Sequence, residues 1–142
     1  VFVNASSEYI KESISYFKNP LLQFHGDETN EFCSSFKKDF WKVIHVKSVE
    51  SIDRIEEYPD ASAILLENYK KDQFGGTGES FDWNIVKKAN LSKKIVLSGG
   101  INIKNVDNAI STQPWCIDIN SGVESSIGIK NITLVNKILE KF

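Results

Sequence analysis

A chain of 142 residues with 41% hydrophobic and 25% charged side chains has the makeup of a globular domain large enough for one core. Its net charge of -2 argues against a dedicated nucleic-acid binder, and no apolar run is long enough for a membrane span. Two cysteines, two histidines and no visible secretory signal argue against a disulfide scaffold and a His-rich metal cluster; they fit a reducing cytoplasm.

A pattern of apolar run and amphipathic stretch then repeats about every 20–25 residues, the length of one strand plus one helix. VFVN (residues 1–4) reads as a strand already under way, with Ile10, Ile14 and Phe17 on the helical face that follows. LLQFHG (21–26) precedes Phe32, Phe36 and Phe40, again at helical spacing. KVIHVK (42–47) precedes Val49, Ile52 and Ile55, and ASAILLE (61–67) precedes a glycine loop and then Ile85, Val86 and Ala89. KKIVLSGG (93–100) precedes Val106, Ala109 and Ile110; CIDINSG (116–122) precedes Ile132, Val135, Ile138 and Leu139. Short runs rich in Val, Ile and Leu are the mark of parallel strands buried on both faces.

Strict strand–helix alternation predicts an α/β fold with a parallel sheet and right-handed crossovers. Gln23, His25, Glu67, Ser98 to Gly100 and Asp118 to Gly122 all fall at C-terminal strand ends. That ring of polar residues favours a TIM-type (βα)8 barrel over an open doubly wound sheet, whose polar residues would gather at one switch point. The expected domain is residues 1–142 as a single, partial barrel of six βα units.

The candidate site follows from those strand ends. Gly99 and Gly100 close a strand ahead of a helix, where bare backbone N–H groups suit a phosphate. Asn120, Ser121 and Gly122 end the next strand, and the loops after a barrel's last two strands are the usual phosphate place. Gly75, Gly76, Thr77 and Gly78 form a loop able to fold over a ligand, although they lack the Gly-Lys-Ser/Thr ending of a P-loop. Phe81 and Trp83 are expected to pack on the core, with Asp82 capping a helix. Glu67 ends an apolar strand, where a carboxylate can serve as general acid or simply as a paired residue. Asp118 would either orient a ligand or satisfy loop N–H groups. Gln23 and His25 share a strand face, which allows substrate contact or a hydrogen-bonded pair inside the barrel, with His45 in the same interior. Cys33 and Cys116 read as structural, the latter at the end of the sheet away from the site.

LLQFHGDE, ILLE followed by FGGTGESFDW, VLSGGINIKNVDNAI and IDINSGVESSIGIKN stand in the order and spacing of one family. The sequence resembles the N-(5'-phosphoribosyl)anthranilate isomerases, (βα)8-barrel enzymes of tryptophan biosynthesis, from their third strand to their last helix. The resemblance implies a sugar-phosphate substrate and a cofactor-free, metal-free Amadori rearrangement. A general acid opens the ribose ring to a Schiff base, and a general base then removes the C2' proton. It implies phosphate binding by Gly99, Gly100, Asn120, Ser121 and Gly122, substrate contact by Asp118, and the acid role for Glu67. The family has aspartate at that last position, so the extra methylene shifts the carboxylate by about 1.5 Å; Asn120 likewise stands where serine is usual. The family's base cysteine on its first strand, and its arginine in the second unit, have no counterpart in these 142 residues. Neither Cys33 nor Cys116 matches that base.

Three readings are carried forward. One is an isomerase whose activity needs more than this chain, which alone should be inactive. The second is a catalytically silent phosphate-binding fragment or assembly subunit, with exposed barrel edges that favour homo-oligomers. The third, a related isomerase of the histidine pathway, would need an aspartate at the end of KVIHVK, and none is there.

Overall fold

The computed structural model describes residues 1–68, 82–84, 86 and 93–142. Helix α1 (Ser7–Ser15) starts at Ser6, whose hydroxyl accepts from the Tyr9 N–H, an N-cap of the ordinary kind. Strand β1 (Leu22–Phe24) leads to the short helix α2 (Asn30–Ser34), and β2 (Phe40–Val46) to a 3-10 helix (Val49–Glu57). After β3 (Ala63–Asn68) and β4 (Ile95–Leu97) come helix α3 (Val106–Ser111) and β5 (Cys116–Ile117). A hairpin of β6 (Glu124–Ser126) and β7 (Ile129–Lys130) precedes the last helix, α4 (Ile132–Leu139).

The five strands form one parallel sheet in the order β1-β2-β3-β4-β5, each pairing with its predecessor in the chain. This is the expected α/β arrangement, and the barrel is not closed. VFVN contributes a single bridge, Phe2 to Phe24, rather than a full strand. Register His45↔Glu67 and Leu65↔Val96 puts alternate residues on one face. That inner face holds Val43, Ala63, Leu65 and Val96, with Trp41 and Cys116 packed against them. The opposite face meets the helices through Phe24, Phe40, Ile44, Ile64, Leu66 and Leu97, all 2% exposed or less. Phe24 also contacts the rings of Phe2, Phe32, Phe36 and Phe40.

Several helical faces differ from the expected ones. Phe40 belongs to β2, not to the preceding helix, because α2 stops at Ser34 and Lys37 takes φ of 53°. Left-handed backbone there turns the chain out of the helix. Phe17 lies beyond α1 and is exposed, as is Val49. In α4, Leu134, Val135 and Ile138 face the core while Ile132 and Leu139 face solvent. The hairpin was not foreseen, although its two-residue turn carries Gly128 at φ of 77°, a common hairpin signal.

One polar cluster sits within the packing. Lys42, 1% exposed, donates to the Gly26 carbonyl at 2.5 Å and to Glu28 Oε2 at 3.3 Å. Glu28 also accepts from the Asn4 and Gly26 N–H groups. Burial lowers the Lys42 pKa, and the Glu28 carboxylate opposes that shift. This cluster ties the turn after β1 to the sheet.

Candidate functional site

A cavity of about 390 Å³ opens at the C-terminal ends of the strands. Gln23, His25, Glu67, Ser98, Gly99, Gly100, Asp118, Asn120 and Ser121 all line it. Nearly every described residue singled out in the sequence therefore converges on one space. The exceptions are Gly122 and His45, which are not among the lining residues. Gly75, Gly76, Thr77 and Gly78 lie outside the described residues, as do Phe81, Ile85 and Ala89. Trp83 is buried in the core, and Asp82 Oδ1 accepts from the Asn84 N–H.

Glu67 stands at the end of β3, 5% exposed, with its Oε2 2.8 Å from His25 Nε2 and 4.0 Å from His45 Nδ1. The parallel register sets His45 beside Glu67, and His25, just past the end of β1, reaches the same carboxylate over the β2 side of the sheet. His25 is thus joined to the carboxylate across the strands rather than to Gln23. Burial lowers the His45 pKa, and the neighbouring His25 adds to that effect. A buried carboxylate held by imidazole and facing a cavity is suited to moving a proton.

The glycine-bearing loops after β4 and β5 complete the lining. Gly99 and Gly100 have φ of 87° and 70°, which only glycine adopts at low cost. A Cβ on Gly99 would stand 3.0 Å from the Asn68 N and 3.2 Å from Glu67 Cγ, so the acid and the glycine turn pack directly together. Helix α3 begins only at Val106; Asn102 and Asn105 side chains fill the interval, both donating to the Gly100 carbonyl. The helix therefore does not start at the glycines, and the loop backbone itself faces the cavity. Gly122 has a different task from its neighbours. A Cβ there would fall 1.8 Å from the Ile101 carbonyl oxygen, so its bare Cα lets the two loops touch.

Asp118 accepts from the Ser98 hydroxyl at 3.1 Å, linking the ends of β4 and β5. Lys130, which sequence reading missed, also lines the cavity. It donates to the Asn120 carbonyl at 2.8 Å, to Asn120 Oδ1, and to Glu124 at 2.8 Å. The hairpin returns this cation to the loop ten positions earlier, a placement no helical or strand periodicity announces. Cys33 is buried in α2 away from the cavity, and Cys116 lies on the inner face at the start of β5.

Residues 1–141 match the family described as N-(5'phosphoribosyl)anthranilate (PRA) isomerase. The PRA isomerase of Hahella chejuensis is 39% identical over 141 residues, covering 98% of this chain and 66% of that protein. That of Legionella pneumophila (strain Corby) is 41% identical over 142 residues, covering 99% and 68%. The chain thus spans about two thirds of the length of these relatives. The PRA isomerase of Thermotoga maritima superposes with a TM-score of 0.86 at 30% identity, over 99% of this chain and 69% of that one. A PRA isomerase solved with reduced 1-(o-carboxyphenylamino)-1-deoxyribulose 5-phosphate gives 0.81 at 29% identity, over 99% and 68%.

Proposed function

Because the chain belongs to the PRA isomerase family, we propose that it forms the acid and phosphate-binding part of an enzyme for the Amadori rearrangement of N-(5'-phosphoribosyl)anthranilate. The product is 1-(2-carboxyphenylamino)-1-deoxyribulose 5-phosphate, an intermediate of tryptophan biosynthesis. One observation carries this reading: a buried carboxylate and residues of the loops after β4 and β5 line a single cavity. The reduced form of that product is bound to a related isomerase of the same fold.

In this reading the substrate phosphate sits among Gly99, Gly100, Asn120 and Ser121, with Lys130 supplying positive charge nearby. Gly122 serves indirectly, by letting the loops approach. Asp118 faces the amine end of the substrate, and Gln23 borders the sugar. Glu67 delivers a proton to the ribose ring oxygen as the C1'–O bond breaks, leaving a Schiff base. Loss of the C2' proton to a base then gives an enolamine, which becomes the aminoketose. The first step needs only a proton donor beside the ring, which Glu67 can be. For the second, the buried thiol of Cys33 is remote from the cavity, and no described residue stands in for the family's base cysteine. The unbridged thiols fit a reducing compartment such as the cytoplasm.

The isolated chain should therefore bind inorganic phosphate and the reduced product without turning substrate over. Turnover should appear when a relative's cysteine-bearing front segment is joined to it, and Glu67→Gln in that active form should lower kcat by roughly 10²–10⁴-fold. Calorimetry and the fluorescence change on substrate consumption report the two halves. Unimpaired kcat in the Glu67→Gln enzyme would remove the acid assignment, and failure to bind either anion would remove the phosphate site. A chain that binds phosphate yet stays inert when joined to that segment would instead be the silent phosphate-binding protein.

A further inference from the structure

His25, His45 and Glu67 have a second chemical character that proton transfer does not use. The ligand atoms they can offer all lie within 4.8 Å of one another. Two imidazole nitrogens and a carboxylate oxygen form a donor set suited to zinc and its neighbours in the first transition row. Bonds of about 2.0–2.2 Å to one ion place such donors roughly 3–4 Å apart. The 4.0 Å between His45 Nδ1 and Glu67 Oε2 already meets that, the 2.8 Å at His25 needs to open slightly, and the full span of 4.8 Å or less needs at most a small closure.

We propose that His25, His45 and Glu67 form a binding site for one divalent transition-metal ion of the zinc, cobalt and nickel class. Three features make this more than proximity. His45 and Glu67 are register partners on adjacent strands, so their spacing is set by the sheet and not by mobile loops. All three side chains are largely withdrawn from solvent, at 13%, 20% and 7% exposure, where a bare ion gains most from fixed donors. His25 and Glu67 also line the cavity, which leaves a free coordination position toward it, as in sites with three protein ligands. Asp118 lines the same cavity and adds negative charge.

Binding is balanced in protons: His25 must present Nε2 as a lone pair, so its ring proton sits on Nδ1. A proton on Nε2 moves to Nδ1 or, where Nδ1 already carries one, leaves to solvent as the metal bonds form. No redox step is involved. The inference stands on the three side chains alone. Combined with the function proposed above, it has a consequence: the ion occupies the oxygen that would carry the acid proton, so metal binding and isomerisation exclude each other.

The chain contains only two histidines, which makes the test direct. Zn²⁺ is titrated into the chain with isotope-labelled histidine, and ring-nitrogen resonances are followed by NMR. Both histidines should shift together and saturate at one ion per chain. Co²⁺ should give visible absorption typical of nitrogen and oxygen donors, without thiolate charge-transfer bands. His45→Gln and Glu67→Gln should each weaken binding by about 100-fold or more, while a Cys33→Ser/Cys116→Ser chain binds as before. Far-UV circular dichroism and inorganic phosphate binding check that the variants remain folded; if one does not, the wild-type titration decides. Unmoved histidine resonances, a shift of only one ring, or thiolate bands in the cobalt form would overturn the assignment. Such outcomes leave the phosphate and acid roles untouched, because those are read by phosphate affinity and turnover.

Discussion

Single residues here have their chemistry decided by what surrounds them. Cys33 is 0% exposed, and burial pushes its thiol pKa from 9.0 up to about 12. Below pH 9 the folded and unfolded thiols both keep their proton. Between pH 9 and about 12 the unfolded thiol loses it while the folded one holds it, so the native state binds more protons and stability falls as pH rises. Denaturation at stepped pH should show that decline, with a slope approaching about 1.4 kcal/mol per pH unit from this group. Cys33→Ala should flatten the slope although it lowers stability at neutral pH; an unchanged slope would show that the alkaline loss arises elsewhere. The structural role of Cys33 was legible in the sequence from its place on an apolar helical face. The partnership of His25 with Glu67 was not, because the two are 42 positions apart and only strand register brings them together.

Elements tell a similar story about local and distant information. Strand cores announced themselves because β3 is buried on both faces and reads as an apolar run, and β2 is mostly so although Lys42 and His45 interrupt it. Phe40 misled because it stands four residues after Phe36; the left-handed Lys37 between them is not encoded by any glycine. At the glycines the legibility was partial. Gly99 and Gly100 line the cavity, whereas Gly122, which reads the same in sequence, stands where two loops touch. Gly122→Ala should force apart the loops that follow β4 and β5, since the added methyl meets the Ile101 carbonyl and not a yielding side chain. A stability loss of about 1–3 kcal/mol is expected, with phosphate affinity weakened together with it. Gly128→Ala provides the contrast: nothing lies within 4 Å of its Cβ, so only the φ of 77° is penalised and the cavity is untouched. Phosphate calorimetry on both variants separates loop spacing from hairpin strain, and equal losses of affinity would contradict the distinction.

For the molecule as a whole, the sheet ends at β5 on one side and at β1 on the other, where only the Phe2 bridge covers the edge, and large apolar side chains are exposed. Val1, Val3, Tyr9, Tyr16, Phe17 and Leu21 belong to the start of the chain; Ile129, Ile132, Leu139 and Phe142 belong to its other end. Such edges and patches invite partners. Sedimentation across a range of concentrations should therefore show self-association that strengthens with concentration, and a monomer throughout would contradict it. The open barrel was legible because the strand–helix rhythm can be counted. The hairpin that carries Lys130 was not, because it interrupts that rhythm after the last strand. The consecutive order of the strands also bears on how the chain reaches this shape. Each pairing joins segments only about 20–30 residues apart, so every closure carries a similar, modest entropic cost. A strand emerging from the ribosome finds its native neighbour already made, and no pairing waits for the far end of the chain. Folding can then advance with synthesis, and an interrupted product would halt with its finished strands already in native register.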